Sequence, residues 1–311
     1  MSASRAALPH LSDTPFLTDG GLETTLVFHE GRDLPCFAAF PLLDDEAGRA
    51  QLRRYFEGYL RIAAEHGAGF VLDTPTWRAN ADWAVRLGYP RADVADINRR
   101  AVAWSGQLRD AFAAEIPVLV NGVVGPRGDG YRVEERMAPD QAQAYHAEQI
   151  EAFAGAGVDM VSAVTINYAE EAMGIVRAAQ AAGVPAVVAF TVETDGGLAS
   201  GEPLLDAIER VDAATGQGAA YFMVNCAHPT HFSHVLDASR PALGRIVGVR
   251  ANASTKSHAE LDESTELDAG DPGELAGQYQ EMRLRLPRLS VLGGCCGTDH
   301  RHLGAIAARC L

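Results

Sequence analysis

One arrangement recurs along this chain and narrows its fold more than any other feature. A helical pattern runs out in glycine, and a short apolar, β-branched run follows within a few residues. Between Gln51 and Glu65, the residues Leu52, Tyr55, Phe56, Tyr59, Leu60 and Ala63 repeat at the i, i+3, i+4 spacing of one helix face. Gly67 and Gly69 then stop the helix, because glycine takes the left-handed cap conformation without steric cost, and Phe70-Val71-Leu72 follows as a strand. The unit returns at Gly157 before Val158-Asp159-Met160-Val161, at Gly183 before Ala186-Val187-Val188-Ala189-Phe190, and at Gly218 before Tyr221-Phe222-Met223-Val224. Similar runs stand at Phe16-Leu17, Val118-Leu119-Val120, Ile246-Val247-Gly248-Val249 and Leu289-Ser290-Val291-Leu292, giving eight strand candidates between residues 16 and 293.

These runs are mostly continuous rather than alternating, as expected when both faces of a parallel sheet are covered. Helical stretches fill the gaps, among them Asp140 to Ala154, with Pro139 and Asp140 as start signals, and Glu170 to Ala182. Eight βα units in 311 residues predict an α/β chain of one domain, a closed (β/α)8 TIM barrel over residues 16–311 behind a flexible N-terminal segment, residues 1–15. The alternative is an open doubly wound sheet, which is weakened because no Gly-x-Gly-x-x-Gly turn follows the first strand. No linker divides the chain. Residues 252–273 are rich in Ser, Asp, Glu and Gly and read either as a long loop or lid after the seventh strand or as a solvated insertion.

Composition narrows the partners. Hydrophobic residues at 47% and charged residues at 22% suit a soluble globular chain that needs no disulfides to build its core. The formal charge of -15, with no basic run, argues against nucleic acid or an anionic membrane surface as a partner. No stretch reaches the roughly 20 apolar residues of a membrane helix, and the N-terminus lacks the apolar core of a secretory signal. A cytoplasmic enzyme is therefore expected, and a homo-oligomer is compatible with the sequence.

In a barrel of this kind, reactive residues come from the C-terminal ends of the strands and the loops after them. Asp19-Gly20-Gly21 closes the first strand, Asn225-Cys226 the sixth, and Gly293-Gly294-Cys295-Cys296-Gly297-Thr298 the eighth. Thiolates are soft ligands suited to zinc, and three protein ligands with an open fourth position are the catalytic arrangement. Gly293, Gly294 and Gly297 are positioned to supply the backbone angles that would turn both Cys295 and Cys296 toward Cys226. Buried structural cysteines and a redox-active Cys295-Cys296 pair remain alternatives. Cys36 and Cys310 have no such setting: Cys36 reads as a core or rim residue. Asp19 is either a turn residue or an acceptor for a substrate ammonium group. Trp77, after the second strand, is either core packing or an aromatic surface for a cationic ligand. His228, His231 and His234 read as loop or helix-face residues more readily than as further metal ligands.

Together these motifs resemble the homocysteine S-methyltransferase family. The resemblance rests on Asp19-Gly20-Gly21-Leu22-Glu23-Thr24, on Val224-Asn225-Cys226-Ala227-His228-Pro229 and on Gly293 to Thr298, with further likeness at Val123 to Pro126, Ser200 to Pro203 and Asn252. It covers roughly residues 16 to 309. It implies a Zn2+ ion on Cys226, Cys295 and Cys296 and a methyl transfer from a sulfonium or quaternary ammonium donor to the sulfur of homocysteine or a related small thiol. It also implies substrate contacts from Asp19, Gly20, Thr74, Trp77, Val164, Asn225 and Asn252. One position departs from the pattern: where the family places a Glu that grips the substrate amino group, this chain has Val164. The exchange removes a charge-assisted hydrogen bond worth roughly 1.5–3 kcal/mol. Either Asp19, Glu170 or Glu193 compensates, or the acceptor is another thiol. A non-catalytic zinc or thiol binder is the remaining alternative.

Overall fold

In the computed structural model, which describes residues 7–311, eight parallel strands close into a barrel in chain order. They are β1 (Phe16–Leu17), β2 (Gly69–Asp73), β3 (Val118–Val124), β4 (Met160–Ile166), β5 (Ala186–Phe190), β6 (Ala219–Asn225), β7 (Ile246–Ala251) and β8 (Val291–Gly294). Phe16 pairs with Val291 and Leu17 with Leu292, which joins the first strand to the last. This is the (β/α)8 barrel that the repeats predict.

The helices lie between consecutive strands. α1 (Leu22–Thr24) and α2 (Glu46–Glu65) separate β1 from β2, and α3 (Ala81–Arg86) and α4 (Val94–Phe112) lead to β3. α5 (Pro139–Ala156), α6 (Ala169–Ala182) and α7 (Leu204–Thr215) precede β4, β5 and β6. α8 (Pro229–Phe232) follows β6, α9 (His258–Asp262) and α10 (Pro272–Arg285) follow β7, and α11 (His300–Cys310) ends the chain. α2 buries Leu52, Tyr55, Phe56, Tyr59, Leu60 and Ala63, the face its spacing predicts. It begins at Glu46 rather than Gln51 because Asp45 caps it, its carboxylate accepting a 2.7 Å bond from the Gly48 amide.

The apolar runs look continuous in sequence, yet the pleat sorts them into two layers. Phe16, Val71, Val187, Met223, Val247 and Val291 belong to the cluster inside the barrel. Their neighbours Leu17, Phe70, Leu72, Val188, Phe222 and Leu292 pack outward with the helices in the larger core. Each such side chain contributes roughly 1.5–3 kcal/mol when fully buried, so both layers are held by the same short segments.

Two strands sit further along the chain than the apolar runs suggest. β4 starts at Met160, not Val158, and extends to Ile166. Val158 and Asp159 instead leave the left-handed Gly157 cap (φ 85°), and the Asp159 carboxylate accepts a 2.8 Å bond from the Val120 amide. Ser162 and Thr165 interrupt the hydrophobic signal but are buried with the rest of the strand. Val164 accordingly lies within β4, past the apolar run that ends at Val161. β8 likewise runs from Val291 through Gly294, not from Leu289.

Of the expected N-terminal segment 1–15, residues 1–6 lie outside the described residues. Residues 7–15 rest on the N-terminal end of the barrel: the His10 and Tyr221 ring centroids lie 5.5 Å apart, and Ser290 Oγ donates to the Pro9 carbonyl at 3.4 Å. Residues 252–273 contain α9, and Asp268 accepts a 2.7 Å bond from Ser254 Oγ, which folds this loop over the opposite end. Among the described residues, no helix is long and apolar enough to cross a membrane.

Candidate metal centre

β6 and β8 bring three cysteines to one point at the C-terminal end of the barrel. The Sγ atoms of Cys226, Cys295 and Cys296 lie within 4.8 Å of one another. Cys226 and Cys295 are joined as a disulfide across a Cα–Cα distance of 5.3 Å, and Cys296 is free. The bonded pair is therefore not the adjacent Cys295-Cys296 doublet. All three sulfurs line one cavity of about 480 Å³ at the barrel mouth. Three soft ligands on one side and open space on the other match the donor set of a catalytic zinc site.

The backbone angles that aim these sulfurs differ in place from the sequence reading. Of the three flanking glycines, Gly297 alone has a positive φ (79°). Gly293 and Gly294 belong to β8, and their missing side chains make room for Thr18 and Thr298. The strained residue is Cys226 itself, with φ 53°, a conformation that costs a non-glycine residue on the order of 1–3 kcal/mol.

Its carbonyl shows what holds it there. Thr191 Oγ1, Asn252 Nδ2 and His258 Nε2 donate to the Cys226 oxygen at 3.3, 3.1 and 2.7 Å. Thr165 on β4 has φ 61° and is held by Asn225, which accepts from its amide at 2.9 Å and donates to its Oγ1 at 3.0 Å. Thr165 Oγ1 in turn donates to Cys226 Sγ at 3.8 Å. Tyr131 places its hydroxyl 3.8 Å from Cys296 Sγ. The Cys295 carbonyl accepts from the Thr298 amide and hydroxyl at 3.1 and 2.7 Å, closing the turn that carries Cys295 and Cys296.

The cavity floor carries a buried ion-pair network. Arg250 on β7 donates to Asp19 Oδ1 at 2.6 Å and to Asp73 Oδ2 at 2.5 Å. Asp19 Oδ2 accepts from Tyr55 at 3.1 Å, and Asp73 Oδ1 from Asn121 at 2.7 Å. Burial opposes the charge on Arg250, but the Asp73 and Asp19 carboxylates outweigh it and hold its pKa above the ordinary value. Both oxygens of Asp19 thus have partners within the protein. Glu23, at the start of α1, also lines the cavity, and burial pushes its carboxyl up to about 7.

The remaining expected contacts are distributed around this floor. Gly20 packs against Thr298, and an added Cβ would fall 2.7 Å from the Thr298 carbonyl. Thr74 is buried, its Oγ1 bonded to Thr76 at 2.7 Å and accepting from the Val123 amide at 3.0 Å. Val164 faces the cavity as part of the apolar barrel interior. Trp77 lines the wall, but Arg78 stacks over it at 3.9 Å and over Trp83 at 3.8 Å, so its guanidinium already occupies one face of each ring. Asn252 donates to the Cys226 carbonyl, and the cavity lining does not include it.

The other residues singled out in the sequence lie elsewhere. His228 caps α8, His231 contacts the Thr255 carbonyl at 2.8 Å, and His234 the Asp195 carbonyl at 3.1 Å. Cys36 is exposed on the cavity rim, not packed in the core, and Cys310 is buried in α11. Glu170 pairs with Arg210 at 2.5 Å and Glu193 with His258 at 3.4 Å; the cavity lining includes neither.

The comparisons agree with this geometry. A family model described as homocysteine S-methyltransferase matches residues 16–310. Homocysteine S-methyltransferase 4 of Zea mays is 26% identical over 325 residues, covering 94% of this chain and 88% of the relative. The crystal structure of the oxidised form of the homocysteine methyltransferase MmuM from Escherichia coli superposes with a TM-score of 0.76 at 23% identity, covering 97% of this chain and 98% of that one. Its metallated form gives 0.73 at 21% identity, with 96% and 97% covered. The solved structures support the barrel, and the family match spans all three cysteines. This chain belongs to the homocysteine S-methyltransferase family.

Proposed function

We propose that this protein is a zinc-dependent S-methyltransferase. It moves a methyl group from a sulfonium or quaternary ammonium donor to homocysteine or a related small thiol, giving methionine when homocysteine is the acceptor. The observation that carries this reading is the convergence of Cys226, Cys295 and Cys296 on one cavity at the barrel mouth. A bound zinc ion supplies the Lewis acidity that keeps an acceptor sulfur as its thiolate, the nucleophilic form.

The chain's own residues do the rest. Asn252, Thr191 and His258 fix the carbonyl of Cys226, and Asn225 fixes Thr165 beside its sulfur, so the ligand set is held before substrate arrives. Val164 and the Trp77 wall give the cavity an apolar side suited to the methylenes of acceptor and donor. Asp19, Gly20 and Thr74 line the same cavity. Methyl transfer needs no side-chain base, since the acceptor proton passes to solvent on binding. Alignment of donor methyl and acceptor sulfur then supplies much of the acceleration.

The test is to incubate freshly reduced, zinc-loaded protein with homocysteine and a panel of onium donors (S-methylmethionine, S-adenosylmethionine, betaine) and to follow products by mass spectrometry. Methionine is expected from at least one donor, and none from a Cys226→Ala variant. No methylated thiol from any acceptor would favour binding without turnover. The Cys226–Cys295 disulfide favours a second reading, a reversible dithiol centre. Disulfide and metal need the same sulfurs, so the zinc content of reduced protein separates the two.

A further inference from the structure

We infer that Glu23 is the residue that receives the ammonium group of the acceptor, so that this site selects an amino thiol despite the isopropyl group at Val164. This inference rests on the reading of the cavity as an acceptor site beside three cysteines.

The position of Glu23 is fixed by its neighbours. An added Cβ at Gly21 would fall 2.7 Å from the Cys295 carbonyl, and Thr24 Oγ1 accepts a 3.1 Å bond from the Gly297 amide. α1 is thus pressed against the turn that carries Cys295 and Cys296, and Glu23 lies between these two contacts, on the cavity wall. Glu23 and the three cysteines line the same cavity, so a ligand held by the sulfurs shares its space with this carboxylate.

Glu23 also lacks the side-chain partners that Asp19 and Asp73 have. Asp19 is held by Arg250 and Tyr55, and Asp73 by Arg250 and Asn121. Among the described residues, no side chain donates a hydrogen bond to Glu23 or forms an ion pair with it; the bond it accepts comes from its own backbone amide, and Arg78 and Arg250 act on it only through their charge. A half-buried carboxylate with no side-chain partner is open to a cation that enters the cavity. Such a group is accounted for when a ligand brings the missing cation. Val164 cannot do this, and Glu170 and Glu193 are paired with Arg210 and His258.

The test measures binding, without a methyl donor, on the reduced, zinc-loaded full chain. Titration calorimetry compares homocysteine with 4-mercaptobutyrate, which keeps the thiol and carboxylate but lacks the ammonium group. Wild-type protein should bind homocysteine about 10- to 150-fold more tightly, the factor expected of one charge-assisted hydrogen bond. Glu23→Gln should erase that preference while leaving zinc content and 4-mercaptobutyrate affinity unchanged, and Glu23→Asp should retain part of it. Equal affinities in the wild type, a preference that survives Glu23→Gln, or a parallel loss of both ligands or of zinc in that variant would each overturn the inference. Methylation without any preference for the ammonium group would overturn this assignment and leave the proposed reaction intact. Preference without methylation would do the reverse.

Discussion

His258 Nε2 donates a 2.7 Å hydrogen bond to the carbonyl oxygen of Cys226, linking α9, in the loop after β7, to the cysteine that ends β6. The loop that covers the cavity therefore also fixes the backbone of a proposed metal ligand held at φ 53°. Removing this support should loosen the sulfur without removing it. A His258→Ala variant is expected to lose about 10- to 100-fold in zinc affinity, the range for residues that orient a metal ligand. Competition with a chromophoric chelator measures this. An unchanged affinity would show that Thr191 and Asn252 suffice.

Arg250 offsets two buried carboxylates at once, so its loss should be severe. Arg250→Met leaves Asp19 and Asp73 without their cation and should cost about 3–5 kcal/mol in denaturant unfolding. Adding Asp73→Asn to that variant should recover part of the loss by removing one of the stranded charges. A cost below about 1 kcal/mol, the scale of an exposed pair, would mean that the network is far more solvated than its burial indicates.

Much of this was legible in the sequence. Four glycine-punctuated units and four further apolar runs predict all eight strands and the barrel, because each buried strand has its own local signal. The cysteine trio was legible too, since the barrel brings the ends of β6 and β8 together whatever the loops do. The supporting residues were not. Thr191 and His258 meet Cys226 across long sequence separations, through a single carbonyl that no spacing rule reveals. Arg250 did leave a trace: a lone charge inside an apolar strand run, answered by Asp73 at the end of another. A buried charge of that kind requires a partner. Glu23 was hidden by its motif, where it reads as an ordinary helix-start acid.

The ionisation of Glu23 should appear in the pH dependence of stability. Burial raises its pKa from 4.5 to about 7, so the folded chain holds a proton that the unfolded chain releases between those values. Its contribution to stability is fully present below pH 4.5 and is lost as pH rises toward 7. Glu23→Gln removes that loss. The variant should gain on the wild type by on the order of 1–2 kcal/mol at pH 8, allowing for partial solvent contact, and by little at pH 5. Denaturant titrations of reduced protein at the two pH values check this; an equal gain at both would contradict it.

The central claim, that three cysteines hold a zinc ion for thiol chemistry, is tested most directly by metal analysis of freshly reduced protein. About one zinc per chain is predicted for the wild type, with the metal lost in a Cys226→Ala variant, as expected if all three thiolates are ligands. Wild-type protein that carries no zinc after reduction and exposure to the metal would contradict the account.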